Sequence, residues 1–334
     1  MGRIVVELTN RCNLRCGHCY DQRHADTAEL SLEIIDKLLW EGKQCGIEHI
    51  SFTGGEPTLH RHFAEIVRRV CDAEYTFGFV SNGSTLPQIY PLLLRHRQWF
   101  KGVTFSLDGA QQQTHDQLRG AGSFRAVMRA ASICFFKDLP FTFNMVLTAK
   151  NRNETEEMAH LAARLGSRAV RFGHLMPTPD TYLRGLDLSP EERRKTEAQI
   201  WRLKETAPIP IGMAPGYYSE SPFFSCGPLE LEEFNLDCDG NLTLCCHLSG
   251  YSGPKAGTDL MGNLHEMNLT EACARFRARV AVYLTDKRDR VMRGNFEDLD
   301  HFPCWYCVKY LGKVQDLQQL PSHPWFAQIT ERTS

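Results

Sequence analysis

Short apolar runs alternate with longer amphipathic ones from residue 4 to about residue 176. The runs predict strands over residues 4–9, 49–53, 76–81, 102–107, 141–148 and 169–175. Between the first two, Leu30, Ile34, Leu38 and Leu39 recur at helical spacing within residues 30–44, with Ser31 placed to cap the start and Gly46 to stop the helix. Helices are expected likewise over residues 60–72, 87–97, 123–134 and 154–165. Strands and helices in alternation build βαβ units and a parallel sheet. Eight such units close a TIM barrel; the six read here leave it partly open.

After about Pro177 the pattern changes. A loop rich in Pro, Thr and Asp leads to a charged helix over residues 190–206, then to a Pro/Gly-rich stretch, 208–218. Residues 234–244 read as a hairpin turning at Asp239-Gly240. This region offers few long elements of its own, so a bound metal would help to hold it together.

Composition narrows the function classes. With 38 basic and 40 acidic residues, a formal charge of −2 and no run of like charge, nothing recommends a nucleic-acid partner. The start of the chain shows no secretory signal, and the apolar runs are too short for a membrane span, so a cytoplasmic protein without membrane contact is expected. In a reducing compartment thirteen cysteines indicate metal or redox chemistry rather than disulfides. Cys45, Cys71, Cys134 and Cys273 stand alone and read as small buried hydrophobes. The others cluster.

Cys12, Cys16 and Cys19 put three thiolates within eight residues directly after the first strand, where barrel folds place their chemistry. This C-x3-C-x2-C spacing suits three corners of an iron–sulfur cube with the fourth iron left open. A structural zinc site, with His18 as a fourth ligand, is the competing reading. At the other end, Cys226, then Gly240 and Cys245, then the C-x2-C pair Cys304 and Cys307 form a four-thiolate layout that suits zinc or a second cluster. Cys246 and Cys238 are rivals for the place of Cys245.

The second strand ends in Thr53-Gly54-Gly55-Glu56-Pro57, the third in Val80-Ser81-Asn82-Gly83, and the fourth in Ser106-Leu107-Asp108-Gly109, followed by His115-Asp116 and Arg119-Gly120. With the cysteine triad, this ordered set resembles the radical S-adenosylmethionine (SAM) superfamily over about residues 4–176. The resemblance implies a partial (β/α)6 TIM-like barrel. It also implies a 4Fe–4S cluster on Cys12, Cys16 and Cys19, SAM chelated at the open iron, and a 5′-deoxyadenosyl radical that takes a hydrogen atom from substrate. The SAM contacts it implies are Tyr20 at the adenine, Gly54, Gly55 and Glu56 at the methionine end, Ser81, Asn82, Ser106 and Asp108, and Arg119 at the carboxylate. In physical terms Gly54 and Gly55 would let the backbone approach a ligand. Glu56 would accept from an ammonium group. No catalytic acid or base is singled out.

The C-terminal cysteines look like those of the SPASM and twitch domains, which add auxiliary 4Fe–4S clusters to such barrels. No cysteine follows Cys307, so one auxiliary cluster is expected, on Cys226, Cys245, Cys304 and Cys307. The organisation expected is a barrel core over residues 1–185, a helical linker over 186–225, a small iron–sulfur domain over 226–320 and a tail over 321–334. The activity implied is oxidative modification of a peptide or protein side chain, with flavodoxin or ferredoxin as reductant. His115-Asp116 and Arg119-Gly120 lean towards that branch. Against it, the barrel pattern begins almost at Met1, leaving no room for the leader-binding domain of many peptide-modifying relatives. Dehydrogenation, decarboxylation or rearrangement of a small-molecule substrate is the alternative, and a non-catalytic zinc protein is the reading from another class.

Overall fold

The computed structural model describes residues 2–329 apart from 21–26, 225, 252–258, 296, 327 and 328. Its centre is one sheet whose first part alternates strand and helix: β1 (Arg3–Thr9), α1 (Leu32–Gly42), β2 (His49–Gly54), α2 (Phe63–Asp72), β3 (Thr76–Ser81), α3 (Leu86–Arg95) and β4 (Phe100–Ser106). Two helices, α4 (Gln112–Arg119) and α5 (Ser123–Phe136), precede β5 (Phe141–Leu147). Then come α6 (Thr155–Arg164), β6 (Val170–His174), α7 (Pro179–Leu183), α8 (Pro190–Thr206) and β7 (Ile211–Met213). Strands β1 to β7 lie side by side in chain order, all parallel. The six expected strands stand within two residues of their expected ends. Ser31 caps α1 as expected, its side chain accepting from the Ile34 N–H. The seventh strand, β7, lies in the Pro/Gly-rich stretch where none was expected.

Alternate positions set the two faces of the sheet. Ile4, Val6 and Leu8 on β1, Ile50 and Phe52 on β2, and Phe105, Phe143 and Phe172 further along are buried in the main core, against the helices. Most of the intervening positions are polar, and several bond across strands. His49 Nδ1 meets Thr76 Oγ1 at 2.9 Å, Thr104 meets Thr142 at 3.0 Å, and the Asn235 amide donates to Glu7 at 3.0 Å. A barrel interior lined this way can receive a polar ligand.

The C-terminal cysteine region does not build a separate sheet. Strand β8 (Glu233–Leu236) pairs parallel to β1 on the side away from β2, and β9 (Asn241–Thr243) and β10 (Leu260–Asn263) continue the same sheet antiparallel. The expected hairpin is thus present, with Gly240 at φ +83 in its turn, but it extends the barrel sheet from the first strand. Nor is the region short of long elements. Helix α9 (Leu269–Met292) has 24 residues and buries Leu269, Cys273, Phe276, Val280, Tyr283 and Lys287 at three- and four-residue intervals. The short helices α10 (Pro303–Tyr310) and α11 (Gln315–Gln318) follow. The segment expected as a tail packs into the structure: Trp325 is fully buried, stacked on Trp305 at 5.3 Å between ring centres, and its indole N–H donates to the Leu188 carbonyl. Residues 330–334 of that segment lie outside the described residues.

Candidate functional site

The cysteine triad lies on the loop that leaves β1, and every neighbouring element helps to hold that loop. The Gly55 N–H donates to the Thr9 carbonyl at 2.7 Å and the Glu56 N–H to the Arg11 carbonyl at 2.8 Å, tying the loop to the end of β2. Asn13 bridges to the end of β3, donating to Ser84 Oγ at 3.0 Å and accepting from the Asn82 amide at 2.9 Å. The Gly17 N–H donates to the Leu118 carbonyl of α4 at 2.8 Å. The Asn10 side chain accepts from the Ala28 N–H at 2.9 Å.

Three thiols, none in a disulfide and each partly exposed, are presented on this frame. Donors face the sulfurs. The Leu14 N–H lies 3.4 Å from Cys12 Sγ, the Asn82 amide 4.0 Å from the same atom, and Arg119 Nη1 3.8 Å from Cys16 Sγ. Burial pushes the Cys12 and Cys16 thiols up, and Arg119 pulls both down. Half-buried thiolates of this kind need a cation beside them. A cluster of iron atoms supplies that charge, so the residues present fit the group.

Behind the triad stands a buried ionic knot. Asp108 Oδ2 pairs with Arg119 and lies 3.1 Å from His18 Nε2, while Oδ1 accepts from the Val146 N–H at 2.7 Å. The Asp108 backbone is held as well: its N–H donates to His115 Nδ1 at 3.0 Å and its carbonyl accepts from the Asn151 amide at 2.9 Å. Burial would raise the Asp108 carboxyl, but Arg119 and His18 outweigh it and hold it well below the usual carboxylate range. Burial lowers His115 to about 4, so it is neutral at pH 7 and free to accept at Nδ1. Asp108 and Arg119 were both expected to touch SAM. Here they face each other, and Arg119 reaches past Asp108 to the Cys16 sulfur.

Glu56 is also fully engaged by protein. Its Oε1 accepts from the Thr58 hydroxyl at 2.6 Å and the Ser81 hydroxyl at 3.0 Å, and its Oε2 from the Asn82 N–H at 2.8 Å. Burial raises this carboxyl and those donors lower it. Ser106 lies buried at the end of β4. Gly54 and Gly55 serve the loop rather than open space: a Cβ at Gly55 would stand 2.6 Å from the Asn10 carbonyl and closer still to that of Arg11. Gly55→Ala is therefore expected to push the cysteine loop off β2, lowering stability by about 1–3 kcal/mol. Thermal unfolding together with iron content checks it, both falling relative to the parent protein.

Tyr20 joins the two cysteine regions. Its hydroxyl donates to the Cys246 carbonyl at 2.9 Å, and its ring meets those of His247 and Tyr251 edge-on. Beyond it, Cys226 and Cys304 lie within electrostatic reach of both Cys246 and Cys307. Burial raises the Cys226 and Cys304 thiols most, and the charges of Cys307 and Cys246 raise both further. The Cys307 sulfur lies 3.3 Å from the Tyr283 hydroxyl. Of the adjacent cysteines, Cys246 is the one felt at Cys226 and Cys304, and it bonds sideways to Cys245. Cys238 is buried in the hairpin turn.

Sequence reasoning missed His18 as an ion-pair partner, His115 as a neutral acceptor, Thr58, Asn151, and the histidines His174 and His247. Position offered a signal for the last two: His174 ends a barrel strand, and His247 follows a cysteine pair.

Residues 6–162 match the model of the radical SAM superfamily. The PqqA peptide cyclase of Methylorubrum extorquens is 26% identical over 258 residues, which are 73% of this chain and 65% of that protein. The AdoMet-dependent heme synthase of Methanosarcina barkeri is 31% identical over 182 residues, 52% of this chain and 51% of that protein. This chain thus spans less than two thirds of the length of these relatives. Among solved structures, Streptococcus suis SuiB bound to precursor peptide SuiA superposes with a TM-score of 0.65 at 15% identity, over 81% of this chain and 64% of that one, which shows a shared fold. Residues 6–162, with the triad Cys12, Cys16 and Cys19 on the loop after β1, thus form a radical SAM domain.

Proposed function

We propose that this protein is an oxidative radical SAM enzyme that modifies a peptide or protein side chain. It would bind a 4Fe–4S cluster on Cys12, Cys16 and Cys19 and one auxiliary iron–sulfur centre on the C-terminal cysteines Cys226, Cys304 and Cys307 with the Cys245–Cys246 pair. When bound, the first cluster and SAM supply a 5′-deoxyadenosyl radical that abstracts hydrogen, and the auxiliary centre supplies an electron acceptor. The chain's own part is placement. The loop after β1 holds three thiols at the open end of a polar-lined barrel, with Asn82 and Arg119 turned to their sulfurs. Arg119 places positive charge beside Cys16. Glu56 orders Ser81 and Asn82 at the end of β3. Tyr20, Gly54, Ser106 and Asp108 complete the proposed SAM surroundings, Asp108 through its hold on Arg119 and His18. A small electron carrier such as flavodoxin or ferredoxin is the proposed reductant, in the cytoplasm.

The observation that carries this reading is the bond from Tyr20, next to the triad, to Cys246 of the C-terminal cysteine group. It joins a radical-generating site to a second sulfur-rich site across one barrel mouth. The similarity to PqqA peptide cyclase supports a peptide substrate. The similarity to a heme synthase favours a second reading, chemistry on a small biosynthetic intermediate. The test is anaerobic formation of 5′-deoxyadenosine from SAM with a strong reductant, adding host extract split into macromolecular and small-molecule fractions. Stimulation by the macromolecular fraction or by a short peptide is expected. Stimulation by a non-peptide small molecule selects the second reading.

A further inference from the structure

Two histidines lie against the C-terminal cysteines, and no part of the proposed activity uses them. His174 ends β6, inside the ring of elements; His247 follows the Cys245–Cys246 pair; Cys304 opens α10. Three separate stretches of chain thus bring one donor atom each to the same place. The nitrogen and sulfur donors of His174, His247 and Cys304 all lie within 4.8 Å of one another. The two imidazole rings stand 5.0 Å apart, edge to face.

His174 is 6% exposed, yet neither of its ring nitrogens has a hydrogen-bond partner among the described residues. A buried imidazole left so is costly unless something else meets it. Its setting is also tight. A Cβ at Gly216 would overlap the ring, so the backbone there has room for His174 only because residue 216 is glycine. The Tyr217 ring packs on the same histidine, and its hydroxyl donates away to the Gly173 carbonyl. The ring is fixed without being satisfied.

We propose that His174 and His247 are metal ligands of the C-terminal centre, joining Cys304 at one metal atom. Two imidazole nitrogens and a thiolate at 2.0–2.3 Å from iron or zinc stand roughly 3.3–3.8 Å apart in tetrahedral geometry, which small side-chain rotations reach from the spacing seen here. Two nitrogens and one thiolate make a mixed ligand set that leaves one tetrahedral position at that metal atom open. The assignment rests on the reading that the C-terminal cysteines hold a metal centre.

The test uses the full chain with Cys12, Cys16 and Cys19 replaced by alanine, so that any remaining metal belongs to the C-terminal centre. Metal content is measured first. The reduced protein, with 15N-labelled histidine, is then examined by pulsed electron paramagnetic resonance. Strong nitrogen couplings from directly bound imidazole are expected, one set lost in His174→Ala and the other in His247→Ala. Iron retained with only weak nitrogen couplings, unchanged in both variants, overturns the assignment. Zinc found in place of iron sinks the auxiliary iron–sulfur reading alone; histidine ligation then stands if zinc per chain falls at least severalfold in each histidine variant, and fails if it does not. No metal at all overturns both. His174→Gln and His247→Gln, checked by circular dichroism, repeat the measurement where an alanine variant does not fold.

Discussion

Replacing Cys12, Cys16 and Cys19 with alanine is expected to lower 5′-deoxyadenosine formation to the enzyme-free background while removing only about half of the bound iron, the share of one of two four-iron clusters. The loss of radical formation is complete because the three thiols share one short loop. The fold should survive. Asn10, Asn13, Gly17, Gly55 and Glu56 hold the loop through backbone and amide hydrogen bonds that use no sulfur. Arg119 keeps Asp108 as its partner after Cys16 is gone. Circular dichroism close to that of the parent protein, with half the iron and no 5′-deoxyadenosine, is the result expected. Loss of nearly all iron would show that the C-terminal cysteines hold no iron of their own. Product formation undiminished would remove the triad from the chemistry.

Much of the barrel was legible because its signals are local. Short runs rich in apolar residues mark the first six strands, and the first four of them run out at Asn10, Gly54, Asn82 and Asp108. Helix α4 was hidden for the opposite reason. Its sequence is polar and buries only His115 and Leu118, so periodicity had little to register. Strand β7 has three residues beside prolines and gains its identity from pairing with β6. The pairing of β8 with β1 joins positions some 230 residues apart, as in Arg3 with Glu233, and nothing in either segment names the other.

The site divides in the same way. The cysteines were legible because ligand spacing along one loop is a sequence property. Which side chains face them is not. Asp108 and Arg119 are eleven residues apart and look like two independent ligand contacts until α4 turns the arginine back onto the carboxylate. Spacing from Gly240 favours Cys245, while it is the charge of Cys246 that acts on Cys226 and Cys304. His174 and His247 are 73 residues apart and become neighbours only when the hairpin docks on the barrel.

The ionic knot carries the second large effect. Asp108→Asn keeps the shape of the side chain but leaves the Arg119 charge buried beside a neutral amide, with His18 deprived of the same oxygen. Removing one partner of a buried ion pair costs about 3–5 kcal/mol. For a chain of this length that lowers the melting temperature by roughly 4–7 °C. The pH dependence follows from the direction of the carboxyl shift. Because the folded-state value lies below the unfolded one, the contribution is fully present above the ordinary carboxylate range of about 3.9. It is lost as pH falls towards the depressed folded value. The gap between parent and variant should therefore be constant from neutral pH down to about pH 5 and close progressively below about pH 4. Coupling identifies the partner. In the double variant Asp108→Asn with Arg119→Gln no unpaired guanidinium remains, so its loss of stability should be well below the sum of the two single losses. Additive losses in melts at pH 7 would mean that Asp108 acts through the Val146 and Asn151 backbone contacts instead, with Arg119 held chiefly by the Cys16 sulfur.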